Sequence, residues 1–211
     1  MIELSAVTTI LLVRHGHVPG IAPERFRGRT DIELTERGVA EARKTADWIA
    51  GLWRPTIVYS SPLKRCMDTG AAIAGRCKVR IEILPTLNDI DYGEWLWRTH
   101  EAIAEECPDL FQRWRKTPHL MRIPKGESLQ DLVARAADAL RLAIDMHPTE
   151  TIVMVGHDSV NRALLLQLLD QPLSAYWRLS QDPCAINVIS MSPDRVVSVR
   201  VNETEHLRVQ I

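Results

Sequence analysis

The sequence predicts an α/β fold in which a mostly parallel central sheet is flanked by helices on both faces, with a small helical or loop lid. Three observations carry this. Short runs of aliphatic and β-branched residues alternate with longer stretches of helical periodicity, which is how an α/β domain reads. Several of those runs are apolar throughout, as strands buried on both faces must be. A segment of different composition between residues 85 and 128 supplies the lid.

The elements follow in chain order. "TTILLV" (8–13) is the first buried strand. In "LTERGVAEARKTADWIAGLW" (34–53), Val39, Ala42, Ala46, Ile49 and Trp53 recur at spacings of three and four, which puts one apolar face on a helix. "PTIVYSSPLKR" (55–65) gives a second strand, and Ser61 before Pro62 reads as an N-cap followed by the first helical position. "KVRIEIL" (78–84) alternates with period two and is the third strand. The stretch 85–128 holds four prolines and three tryptophans amid mixed charge, and reads as a partly helical insertion over the sheet. Leu129, Leu132, Val133, Ala136, Leu140 and Ile144 then mark one face of the clearest long helix. "TIVMVG" (151–156) is another buried strand, "VNRALLLQLL" (160–169) a helix, and "AINVISM" (185–191) and "VVSVRV" (196–201) close the sheet. With no internal repeat, the chain reads as one domain over residues 1–211, carrying a lid-like insertion at about 85–128.

Composition narrows the partners. The formal net charge is -1 and no long run of one sign occurs, so bulk electrostatics offers nothing to nucleic acid or a membrane surface. Of the 26 basic residues only five are Lys, and the planar donor fork of Arg suits phosphate and carboxylate. Cys66, Cys77, Cys107 and Cys184 form no CxxC pair and no zinc-site spacing, so they read as reduced structural thiols, and no metal or other cofactor is expected. The first residues carry Glu3, no basic region and too short an apolar run for a signal peptide or a membrane span, so a cytoplasmic location is expected. The expected partner is a small molecule, and a homodimer is compatible with this reading.

One event repeats at three strand ends. "ILLV" runs into Arg14-His15-Gly16, "TIVY" into Ser60-Ser61-Pro62 with Arg65 a helical turn on, and "TIVMV" into Gly156-His157-Asp158. In an open α/β sheet, ligands bind outside the carboxyl ends of the strands. Neighbouring strands would therefore bring two imidazoles, two guanidiniums and fresh helix N-termini into one crevice, a set suited to a compact dianion such as phosphate. A neutral imidazole there is also a competent nucleophile.

These residues resemble the signature of the histidine phosphatase superfamily, the phosphoglycerate-mutase-like proteins. The likeness extends beyond "LLVRHG" to "GRTDIELTERG" (28–38), "YSSPLKRCMDTG" (59–70), "GES" (126–128), "VGHDSVNRALL" (155–165) and "NETEHL" (202–207), in that order along the chain. The resemblance implies the phosphoglycerate-mutase-like fold and a metal-free phosphohistidine mechanism. In it His15 attacks phosphorus, Arg14, Arg65 and His157 hold the non-bridging oxygens, and an acid protonates the leaving alcohol.

Two departures from the family pattern matter. Where the mutase-like branch carries Glu, "LNDIDYGEW" has Asp89, one methylene shorter; Asp158, directly after the second His, is the alternative acid that the acid-phosphatase branch would suggest. Asp89 is preferred because Gly93 and Trp95 around it match the small-phosphatase branch, whereas Asp91 and Glu94 read as solvated or structural. In the loop after His15, Val18 and Ile21 occupy positions where relatives carry a hydroxyl and an amide. Arg25, Arg27 or His17 are the candidates to replace them, although surface ion pairs are the first expectation for the two Arg. His15 and His17 without a carboxylate at suitable spacing make a poor metal site.

The leading reading is a phosphomonoesterase for a small metabolite, with Trp95, Trp97, Arg98 and His100 of the lid suggesting an aromatic or nucleotide-like leaving group. Phosphoglycerate-mutase-type phosphotransfer and a non-catalytic phosphate-binding pseudoenzyme are the alternatives. A metal-dependent hydrolase would instead need activity that chelators abolish.

Overall fold

Alternation along the first strand sets the layering. In the computed structural model, which describes residues 7–192 and 195–208, strand β1 (Thr8–Arg14) turns Ile10 and Leu12 to one side of the sheet and Leu11 and Val13 to the other, all fully buried. Helices α1 (Glu36–Leu52) and α2 (Lys64–Cys77) cover the Leu11 side; α5 (Leu129–Met146) and α6 (Asp158–Leu168) cover the Ile10 side. Burying each such aliphatic side chain contributes roughly 1.5–3 kcal/mol, so a strand with apolar residues on both faces is held only when both faces are covered.

The remaining strands are β2 (Ile57–Ser60), β3 (Arg80–Ile83), β4 (Thr151–Gly156), β5 (Ile186–Ser192) and β6 (Arg195–Glu203). Their order is β3-β2-β4-β1-β5-β6; the first four are parallel, and β5 and β6 are antiparallel additions at one edge. The sheet is thus mostly parallel, with helices on both faces. Register is what matters for the site: Arg14 stands opposite Gly156 and Ser60 opposite Val155, so β1, β4 and β2 end level. No helix among the described residues is long and apolar enough to cross a membrane.

Between β3 and α5 the chain forms α3 (His100–Glu106), α4 (Pro108–Lys116) and short 3-10 turns at Pro85–Leu87, Gly93–Trp95 and Pro118–Leu120. Leu87, Ile90, Trp95, Ile103, Trp114, Met121 and Ile123 from this segment share one apolar cluster with Ile10 and Leu12 of the sheet.

Two local expectations are corrected. On α1 the covered face is Gly38, Glu41, Ala42, Thr45, Ala46 and Ile49, while Val39 is 38% exposed and Trp53 is the C-cap, so the stripe is rotated toward small residues. Helix α2 does not start at Ser61-Pro62: its N-cap is Leu63, and the Lys64 N–H donates to Asp31 Oδ1 at 2.8 Å. The Ser61 hydroxyl accepts only a long bond from Leu63 N, at 3.4 Å, and lies 2.8 Å from His157 Nε2.

Candidate active site

Two glycines bring the first strand end against α1. A Cβ on Gly38 would stand 2.1 Å from the His17 carbonyl oxygen, and one on Gly16 would stand 2.5 Å from the Gly38 carbonyl oxygen, so neither position admits a side chain. Thr35 locks the same contact: its N–H donates to His17 O at 3.0 Å and its hydroxyl, the N-cap of α1, accepts from Gly38 N at 3.1 Å. From α2, Thr69 Oγ1 accepts the Gly16 N–H at 3.1 Å, one turn beyond Arg65.

The backbone so fixed presents His15, which is 1% exposed. Its Nδ1 is 2.8 Å from Gly16 O; a carbonyl only accepts, so Nδ1 carries the proton and Nε2 keeps its lone pair. Burial, reinforced by Arg65 and Arg14, holds the ring well below the usual imidazole pKa, so it is neutral near pH 7. His157 meets it edge-on, with ring centroids 5.3 Å apart, and burial and Arg65 likewise hold His157 neutral.

Two guanidiniums face this pair, and each is anchored at its tip. Arg14 donates from Nη1 to Gln181 O; Arg65 donates from Nη1 to Thr30 O at 2.8 Å and from Nη2 to Gly28 O at 2.7 Å. The buried Nε of each has no hydrogen-bond partner among the described residues. Leaving a buried donor unpaired costs on the order of 1–3 kcal/mol, more for a charged group, so two such donors beside a neutral His make a ready anion cradle.

Asp89 completes the cluster. Its Oδ2 lies 3.0 Å from Arg65 Nη2 and 3.6 Å from His157 Nδ1, so the shorter side chain still reaches both directly. Oδ1 accepts from the Ser159 hydroxyl and from Ile90 N. Burial pushes its pKa above the usual carboxyl range despite Arg65. Asp158 behaves oppositely: burial would raise it, but Arg14, Arg162 and Arg27 outweigh that and keep it ionised, with Oδ2 3.0 Å from Arg162 Nη1. Arg162 in turn lies over Tyr176 and Trp177. The two carboxylates near the second His are thus split into one inclined to hold a proton and one held as an anion.

Expectations for the loop after His15 are partly overturned. Neither Arg25 nor Arg27 forms an ion pair among the described residues: Arg25 packs on Trp97 and donates to its carbonyl, while Arg27, 7% exposed, donates to Gly20 O at 2.7 Å. Its charge bears on Arg14, His15, Asp89 and Asp158 alike. Val18 is simply core, and His17 is used at Thr35 Oγ1, 3.0 Å away. In the segment 85–128, Trp95 is buried against Phe26 and Trp114, Arg98 pairs with Glu106, and His100 pairs with Glu24 and packs at a tilt against Phe26. Trp97, at 37%, and the Arg98 side chain, at 35%, remain over a third exposed, whereas Trp95 and His100 are covered, so anchoring rather than substrate contact accounts for those two. Asp91 and Glu94 are structural, paired with Arg29 and Lys125.

Several supporting residues escaped the sequence reading. Asp31 and Thr69 lie inside segments already singled out, so their spacing was the available signal. Gln181, whose amide is bound by Asn187 of β5, carried no signal, because only folding brings its carbonyl to Arg14. Glu127 and Arg135 were visible only as part of "GES" and a helix pattern.

An open α/β sheet with a neutral histidine, a second histidine, unpaired guanidinium donors and a raised carboxyl at its strand ends defines a phosphoryl-handling enzyme. Comparison with known proteins gives the family. The model of the histidine phosphatase superfamily (branch 1) matches residues 10–204. Phosphoserine phosphatase 1 of Hydrogenobacter thermophilus is 32% identical over 94% of this chain and 93% of its own. A metal-independent phosphoserine phosphatase of Arabidopsis thaliana is 31% identical over 96% and 84%. The solved structure of Bacillus stearothermophilus YhfR superposes with a TM-score of 0.88 at 27% identity, covering 95% of this chain and 99% of that one. This chain belongs to the histidine phosphatase superfamily, branch 1, and is a small-metabolite phosphomonoesterase.

Proposed function

We propose that the chain hydrolyses the phosphate monoester of a small hydroxy or amino acid through a phosphohistidine on His15. The observation that carries this is the pair of buried, unpartnered Nε donors of Arg14 and Arg65 set around a neutral His15 whose Nδ1 proton is fixed on Gly16 O.

His15 Nε2 attacks phosphorus, and the N–P bond forms as the bond to the ester oxygen breaks. Asp89 gives its proton to that oxygen, and the alcohol leaves. Water then attacks the phosphohistidine; its proton passes to Asp89, the N–P bond breaks, and inorganic phosphate is released with His15 restored. Arg14, Arg65 and His157 spread the charge of a loose transition state. Arg27 takes the place of the hydroxyl and amide missing at Val18 and Ile21. Asp158 stays ionised and is not the donor.

The phosphoserine phosphatases among the relatives make phosphoserine the first substrate to test. The Asp158–Arg162 pair favours the same choice, since it offers one group of each sign to a zwitterion. The raised carboxyl of Asp89 favours catalysis over a pseudoenzyme that only binds phosphate. Four unpaired cysteines fit a reducing compartment such as the cytoplasm. The test is phosphate release from phosphoserine and 3-phosphoglycerate with excess chelator present. Chelator-resistant release of phosphate supports the reading; isomerised product without free phosphate would replace it with a mutase, and no turnover with retained vanadate binding would replace it with a pseudoenzyme.

A further inference from the structure

We propose that Glu127 and Arg135 form a clamp whose task is to position the carboxyl of Asp89 for proton transfer. This rests on Asp89 being the acid of the proposed function.

Arg135, on the second turn of α5, spends its donors on backbone just upstream of the site. Nη1 donates to Thr86 O at 2.9 Å and to Asn88 O, and Nη2 donates to Asp89 O at 2.9 Å. Nε and Nη2 also donate to the two oxygens of Glu127, each at 2.9 Å. Glu127 is the hub: besides Arg135 it accepts from Arg29 Nη2 at 2.9 Å and from Asp91 N at 2.9 Å. Arg29 closes the ring by donating from Nε to Asp89 O at 3.3 Å. Burial would raise the Glu127 carboxyl, but Arg135, the Asp91 N–H and Arg29 hold it below its usual range.

Three carbonyls and one N–H between residues 86 and 91 are therefore gripped by a half-buried ionic pair, with both side chains under a fifth exposed. The segment has little regular structure of its own. A single 3-10 turn ends at Leu87, and Asn88 leads directly into Asp89. A short acid on an irregular backbone needs an external brace, because a displacement near 1 Å can cost on the order of 100-fold. A bidentate guanidinium supplies direction as well as attraction, which a lysine cannot reproduce.

The clamp touches no reacting atom, so Glu127 and Arg135 are positioning residues, and leaving-group dependence is the readout that separates this from general stabilisation. An alkyl ester such as phosphoserine needs its leaving oxygen protonated, whereas p-nitrophenyl phosphate hardly does. The experiment measures kcat/KM on both esters for wild type, Asp89→Asn, Arg135→Met, Arg135→Lys and Glu127→Gln, with vanadate affinity as the check on the cradle. The expected result is a loss of about 10- to 100-fold on phosphoserine and less than about threefold on the aryl ester for Arg135→Met and Glu127→Gln. Arg135→Lys should fall between them and wild type, with vanadate affinity unchanged in the three clamp variants. Equal losses on the two esters, or no loss on phosphoserine, overturn the clamp. Should Arg135→Met fail to fold, Arg135→Lys and Glu127→Gln decide the matter. Asp89→Asn separates the two levels. If it shows the split and the clamp variants do not, only the clamp falls; if it shows none, the assignment of the acid falls too.

Discussion

Asp89 Oδ2 lies 3.0 Å from Arg65 Nη2, inside a pocket where both side chains are at most 5% exposed. In the proposed mechanism this contact sets the proton carrier beside the phosphate cradle. Asp158, the first residue of α6, is tied instead to Arg162 at 3.0 Å, while the hydroxyl of the next residue, Ser159, donates to Asp89 Oδ1. Asp89→Asn should lower kcat/KM on phosphoserine by about 10²–10³-fold, the usual range for losing a general acid, and Asp158→Asn by less than about tenfold. Steady-state kinetics on both variants checks this, and the reverse ranking would make Asp158 the acid.

His15→Ala should reduce turnover by at least about 10⁴-fold, because removal of a nucleophile leaves only binding and charge stabilisation. Rapid quenching of wild type with labelled substrate should trap an acid-labile, base-stable phosphoenzyme that the variant lacks. A label on any residue other than His15 would refute the nucleophile.

Arg27 carries a buried charge beside the loop that holds Val18 and Ile21, and the proposed mechanism gives it a place in the phosphate cradle. Replacing it by Gln should weaken vanadate or phosphate binding by about tenfold or more, as expected for a charge-assisted hydrogen bond. Isothermal titration gives the number, and a change under twofold would remove Arg27 from the cradle.

The histidines give stability a pH dependence of definite sign. His15 and His157 are held below the ordinary value of 6.5 by burial and nearby Arg, and His206 is pushed down by burial to about 4. Each therefore contributes stability that is complete above pH 6.5 and is lost as pH falls toward the folded-state value, where the unfolded chain binds the protons first. Asp89, raised by burial, acts with the opposite sign. Urea unfolding should show stability falling between pH 6.5 and about 5, ahead of the carboxylate range. A flat or rising profile in that window contradicts the buried neutral rings.

Gly38→Ala should destabilise the protein by about 3 kcal/mol and lower activity with it, since the new Cβ meets the His17 carbonyl at 2.1 Å. Gly51→Ala on the same helix meets nothing within 4 Å and should be neutral or stabilising by up to about 1 kcal/mol. Thermal melts of the two variants provide the comparison.

The sequence by itself determined the alternation of strands and helices, because burial on both faces demands runs such as Ile10 to Val13 and one apolar stripe on each helix. It also determined which residues end those strands, so His15, Arg65 and His157 could be read as one site before any fold was seen. Segment order and spacing named the family for the same reason. Tertiary structure alone decided what contacts the chain ends of those side chains. Ser61 looked like a helix cap by local rules, yet Asp31 from a distant loop took that task and left the hydroxyl to His157. Arg27 looked like a surface charge, and packing buried it with its guanidinium on the Gly20 carbonyl. Sequence preferred Asp89 to Asp158 only by resemblance, because a carboxyl's proton affinity depends on desolvation and on which guanidiniums stand near it. Both are properties of packing between residues far apart in the chain.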